Sequence, residues 1–110
     1  MPECRPSLHV CITCQGGEGA RLHAALAGLL LGDDQVVLRE VTCFASCGRG
    51  CTASISAAGK WSYLLGDLSL AHAEDLLTYA GIYAAHPSGA VLPSRRPESL
   101  RGNVVARLPA

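Results

Sequence analysis

Five of the six cysteines fall in two clusters. Cys11 and Cys14 form a C-x2-C, while Cys43, Cys47 and Cys51 form a C-x3-C-x3-C, with 28 residues between the clusters. Thiolates paired in this way suit three kinds of chemistry. A [2Fe–2S] cluster needs two thiolates on each of two irons, and one pair per loop meets that demand. Structural zinc takes four thiolates tetrahedrally, usually from two C-x2-C-like knuckles, a form that only the first pair has. A C-x2-C near a βαβ unit also serves thiol–disulfide exchange. That reading leaves Cys43 and Cys47 unexplained, and Gly16-Gly17 intervenes before the following helix. Buried reduced thiols packing as small hydrophobes are the plainest alternative, but two pairs at matching strand ends argue against it. The iron–sulfur reading ranks first, zinc or another single ion second, the dithiol third. Cys4, ahead of the first strand, reads as an exposed terminal thiol.

Other chemistry-bearing residues read more simply. No nucleophile–base pair is evident, so no catalytic residue is assigned and the chain is not expected to be an enzyme. Gly16-Gly17-Glu18-Gly19 lacks the lysine and spacing of a phosphate loop. His9 falls on a polar strand face, His23 and His72 in or near helices, and His86 at a helix end, where solvation or capping accounts for them. Trp61 and Tyr63 fit hairpin packing better than base stacking. Arg95, Arg96, Arg101 and Arg107 read as exposed side chains on a loose tail, with a docking arm for an acidic partner as the alternative. Asp67, Glu74 and Asp75 suit either an acidic docking rim or an ordinary helix N-terminal charge bias.

The elements must bring the cysteine pairs together. Leu8–Thr13 alternates apolar and polar residues, the pattern of a half-buried strand. Ala20–Leu31 carries Leu22, Ala25, Leu26, Leu29 and Leu30 at helical spacing and ends at Gly32. Gln35–Val41 is a β-branched run. Strand, helix and strand make a βαβ unit with parallel strands and a right-handed crossover. Both strands then end on one side of the sheet, roughly 5 Å apart if neighbours or about 10 Å with one strand between. Cys11/Cys14 follow the first strand and Cys43/Cys47 the second, so the fold itself brings the pairs to one edge. Thr52–Ser56 and Lys60–Leu65 flank the turn signal Ala57-Ala58-Gly59 as an antiparallel hairpin. A second helix runs from Ser69 or His72 to Ala85.

The predicted order is β-α-β-β-β-α: an α/β (two-layer α+β) thioredoxin-like domain with a mixed four-stranded sheet and both helices on one face. His9, Thr13, Arg39, Thr52 and Ser54 fall on the other face, polar enough to meet water or a second subunit, which leaves a homodimer open. Residues 1–7 are an extension, 8–86 the domain, and 87–110 a Pro/Arg-rich tail on which no regular structure is predicted.

Bulk composition is consistent with this. The chain has 110 residues, 49% apolar and 16% charged, as expected for one collapsed domain. Net charge is zero, giving no global argument for nucleic acid. Residues 1–94 carry five Lys/Arg against eight Asp/Glu, and residues 95–110 four against one, so a basic tail sits on a mildly acidic body. The start lacks a signal-peptide pattern, and Leu22–Leu31 is too short to span a bilayer, so no membrane association is expected. The expected location is cytoplasmic, where reduced cysteines favour metal binding over disulfides.

The motifs also carry a family likeness. VCITC-QGGEG followed by a helix, then VTCFASC-GRGC and a hairpin ending in GKWSYLLGDL, resembles the thioredoxin-like [2Fe–2S] ferredoxins over roughly residues 8–85. The same pattern occurs in the small iron–sulfur subunit of respiratory NADH dehydrogenases. Within that group the chain is similar to small bacterial predicted metal-binding proteins of unassigned function, which share the cysteine spacings, the G-K-W hairpin and a tail ending in A-R-hydrophobic-P. Carried over by position, the resemblance implies a [2Fe–2S] cofactor on Cys11, Cys14, Cys43 and Cys47, and one-electron transfer with a redox partner protein. Gly48 and Gly50 would let backbone N–H groups approach the cluster sulfurs. Two features depart from the ferredoxins: their first pair is more widely spaced, and Cys51 stands where they usually have proline, making Cys51 a candidate alternative ligand. The other function left open is a zinc, iron or cobalt carrier or sensor using the same thiolates. The family likeness loosely implies a setting in cobalt or cobalamin metabolism.

Overall fold

A computed structural model describes residues 6–12, 18–30, 36–41, 51–91 and 95–109. Their elements run β1 (Ser7–Cys11), α1 (Glu18–Leu29), β2 (Val37–Val41), β3 (Cys51–Ser56), β4 (Ser62–Leu68), α2 (Ala73–Ala85) and β5 (Val104–Leu108). Short 3-10 turns precede α2 (Leu70–His72) and β5 (Glu98–Leu100).

The strands form one sheet in the order β2-β1-β3-β4-β5. Among the described strands β1 and β2 alone are parallel, with Ser7 opposite Val37 and Cys11 opposite Val41. The expected βαβ unit is therefore present, its two strands immediate neighbours.

Strand alternation separates the two sheet faces. Leu8 opposite Ile55 and Val10 opposite Ala53 lie on one face, and all four are buried. Leu22 and Leu26 of α1 and Leu76, Tyr79, Ala80 and Tyr83 of α2 join them in a single core, which places both helices on that side. Each fully buried leucine contributes about 1.5–3 kcal/mol relative to exposure. On the other face His9, Ser54 and Ser56 are only partly buried, and with Ser62, Leu64 and Leu108 they border a shallow depression.

Local chemistry sets the helix ends. Glu18 opens α1 in the position the helix dipole favours for an acid, and it pairs with Arg21 at 2.9 Å. Its second oxygen accepts from the Leu70 N–H at 3.0 Å, tying the start of α1 to the turn before α2. That turn is closed by the Ser69 N–H donating to His72 Nδ1 at 3.0 Å. At its other end α2 stops before Pro87, where Lys60 Nζ donates to the carbonyls of Tyr83 and Ala84 at 3.2 and 2.6 Å.

Among the described residues the sheet has five strands, not the expected four, because the tail supplies β5. Prolines in the tail argue against structure there, yet Pro97 and Pro109 flank the strand without entering it. An edge strand needs hydrogen bonds on one side only. Asn103 secures the docking: its carbonyl accepts from the Gly66 N–H at 2.8 Å and its amide donates to the Gly66 carbonyl at 2.9 Å. Arg107 lies over the Trp61 ring at 5.1 Å, and Val91 and Leu100 are buried in the core.

Two smaller expectations also change. Thr52, assigned to the wet face, is fully buried beside the strand end, where the β3–β4 register shifts between Cys51 and Ala53. The shift is taken up on β4, where Asp67 adopts a φ of 54°, so pairing near Thr52 departs from simple alternation. Arg96, read as an exposed tail residue, is 9% exposed.

Candidate metal centre

The expected ligand Cys11 lies on one rim of the sheet. β1 and β2 both end there, with Cys11 opposite Val41, and the Ile12 N–H donates to the Val41 carbonyl at 3.0 Å, extending the ladder by one residue. β3 begins there with Cys51; it runs antiparallel to β1, and continuing the pairing of Val10 with Ala53 brings Cys51 alongside Ile12. α1 starts there as well. Gly19 packs so closely on the strand end that a Cβ on it would lie 1.9 Å from the Cys11 carbonyl oxygen.

Cys14, Cys43, Cys47, Gly48 and Gly50 lie outside the described residues, as does Cys4. Segments 13–17 and 42–50 nevertheless leave from and return to this rim, because Ile12, Glu18, Val41 and Cys51 are all on it.

Cys11 and Cys51 are both fully buried, and both belong to the apolar core cluster that includes Leu22 and Leu26 of α1. Of the four expected ligands, Cys11 is the one within the described residues, buried at the rim, and among the described residues no three His, Cys, Asp or Glu side chains group as a metal site.

The remaining candidates fall into structural roles. The Nδ1 atoms of His72 and His86 accept from the N–H groups of Ser69 and Ser88, so both close turns as expected. His23 lies 4.0 Å from Glu40 on β2. Tyr63 packs edge-on against Tyr79, with ring centroids 6.3 Å apart, in keeping with hairpin packing. Asp75 accepts a hydrogen bond from the Ser99 hydroxyl, which ties the tail to α2. The Glu18 carboxyl is held below the ordinary carboxylate range, chiefly by its hydrogen bond to Arg21 and then by the Leu70 N–H. Sequence reasoning missed the part played by Gly19. Its only signal was a glycine three residues into a stretch already read as a turn.

Comparison with known proteins adds a family and a fold. The family described as "Protein of unknown function (DUF1636)" matches residues 3–110. No curated protein matches the chain. Among solved structures, the chain is similar to a thioredoxin-like [2Fe–2S] ferredoxin from Aquifex aeolicus, known from a crystal structure at 1.5 Å resolution. The identity is 14% and the TM-score 0.63, over 96% of this chain and 99% of that one. A likeness at that identity establishes the thioredoxin-like fold. Among the described residues no helix is long and apolar enough to cross a membrane.

Proposed function

The chain belongs to the DUF1636 family of proteins of unknown function, and we propose that it carries one [2Fe–2S] cluster on Cys11, Cys14, Cys43 and Cys47 and passes single electrons to a partner protein. One observation carries this reading: the parallel β1–β2 pair, with Cys11 opposite Val41, anchors both cysteine-bearing segments on one rim. Such a cluster supplies a one-electron couple. The chain's own part is to hold four thiolates, keep water from Cys11 and present the rim to the partner. Cys51 is kept as the alternative ligand, and its serine variant tests that assignment. No side chain is assigned a catalytic step, and neither nucleic acid nor a membrane enters as a partner.

Anaerobic purification followed by metal and sulfide analysis tests the proposal. The expected product is red-brown, bleaches with dithionite and holds about two irons and two acid-labile sulfides per chain. Cys43→Ser and Cys47→Ser should lose the colour, and Cys51→Ser should keep it. A colourless protein with a single zinc or cobalt would instead identify a metal carrier or a structural site.

A further inference from the structure

A cavity of about 470 Å³ lies at the end of α2, far from the cysteine rim. β3 starts at the rim and turns into β4 at the opposite end of the sheet, where Lys60 of that connection holds the last turn of α2. Ile82 and Ala85 of α2, with Pro87 and Val91 of the turn that follows, give the cavity an apolar wall. His86 and Arg95 are the described side chains on that wall that carry nitrogen, and no described Asp or Glu lines it. Among the described residues no carboxylate pairs with Arg95, which is exposed.

The wall is held by hydrogen bonds on every side. The Ser88 N–H donates to His86 Nδ1 at 3.1 Å, and the Ser88 carbonyl accepts from the Trp61 N–H at 2.9 Å. Gly89, at a φ of 74°, packs so tightly on Tyr83 that a Cβ there would lie 2.7 Å from the ring. The buried neighbour Arg96 donates to the Val91 carbonyl at 3.2 Å, which ties the backbone beside Arg95 to the same turn. Because His86 Nδ1 accepts, its ring proton sits on Nε2 and that atom is a donor.

A helix C-terminus ordinarily repels anions. Here the Ile82 and Tyr83 carbonyls accept from the His86 N–H, and the Tyr83 and Ala84 carbonyls accept from Lys60 Nζ, whose charge comes to the same helix end. Small-molecule sites are largely preformed cavities of about 300–1,000 Å³, mostly apolar, with a few polar groups that fix orientation. A guanidinium matches the two oxygens of a carboxylate. An inorganic anion would leave the four apolar side chains without a role.

We propose that this cavity binds a small organic carboxylate. The head group lies on Arg95 and the His86 Nε2–H, and the hydrocarbon body rests on Ile82, Ala85, Pro87 and Val91. The site shares no residue with the cysteine rim, so the result does not depend on which metal the rim holds.

The test titrates the full chain with hexanoate, hexanamide, acetate and inorganic phosphate, read by backbone amide shifts in two-dimensional NMR. Hexanoate should saturate at about one per chain with a dissociation constant of about 1 mM or below, and the shifts should centre on residues 82–91 and 95. Hexanamide lacks the charge and acetate the hydrocarbon body, so each should bind at least about tenfold more weakly. Arg95→Gln, at an exposed position, should weaken hexanoate at least about tenfold. His86→Asn keeps a side-chain acceptor for the Ser88 N–H but removes Nε2–H, and should weaken it about threefold to tenfold. No saturable shift with hexanoate, or parent-like affinity in Arg95→Gln, overturns the proposal. Phosphate binding as tightly as hexanoate also overturns it, by making the site one for anions in general.

Discussion

Replacing Gly19 with alanine tests whether the rim is built as described. A Cβ there would sit 1.9 Å from the Cys11 carbonyl oxygen and 3.0 Å from its carbon, whereas real Cβ atoms essentially never come closer than 3.0 Å. Both obstructing atoms are backbone, so α1 and the end of β1 must separate by about 1 Å. Overpacking of this kind costs about 1–3 kcal/mol, and two rigid elements in contact favour the upper half of that range. Alanine returns about 1 kcal/mol through helix propensity. The net loss is about 1–2 kcal/mol, a fall of roughly 5–10 °C in melting temperature for a chain of this size. Gly81→Ala is the internal control, since nothing lies within 4 Å of a Cβ there. It should stabilise by about 0.5–1 kcal/mol. Urea denaturation of the two metal-free variants gives the comparison, with unchanged slope as the check that only stability has moved. On the metal-loaded protein, Gly19→Ala should also lower the bound iron while Gly81→Ala leaves it unchanged. If Gly19→Ala is as stable as Gly81→Ala, α1 does not rest on the Cys11 carbonyl and the rim geometry is wrong.

Further expectations concern pH and the tail. The Glu18 carboxyl titrates below its ordinary 4.5, so its contribution is present above pH 4.5 and disappears as pH falls through the lower, folded value. Glu18→Gln should therefore flatten the acid limb of a stability–pH curve, and an unchanged limb would remove the link to Arg21 and Leu70. Burial pushes the Tyr83 phenol from 10.0 up to about 12, which makes its contribution complete below pH 10 and lost between pH 10 and 12. Near-ultraviolet titration should show that delayed ionisation, and Tyr83→Phe should move alkaline unfolding to higher pH. Truncation after Asn103 removes β5, bares the β4 edge and uncovers Trp61. Light scattering should rise and tryptophan emission shift to the red, and a soluble, unshifted product would contradict the pairing of β5.

Much of the fold was readable because local pattern and global structure agree. Alternation in Leu8–Thr13 and the β-branched Gln35–Val41 run mark β1 and β2, and the helical spacing of Leu22 and Leu26 marks the element between them. Parallel pairing follows, since a crossover helix carries the chain back to the same starting end. The tail strand was hidden because proline and arginine dominate its composition and only Val104 and Val105 signal a strand. Arg96 was hidden for another reason. Nothing local marks one arginine of four as buried; its surroundings come from β4 and α2, far away in the chain.

By itself the sequence determined the residue types able to bind a metal, their grouping in pairs and the βαβ order whose two strands run parallel. These follow from spacing and periodicity, which are local properties. Tertiary structure decided that β1 and β2 are immediate neighbours with Cys11 opposite Val41, that only glycine fits between α1 and the Cys11 carbonyl, and that Cys11 and Cys51 are both buried in the core. It also decided that an arginine from the tail lies among tyrosines. Each of these depends on which distant segments share a few ångströms of space, and chain-local chemistry does not encode that.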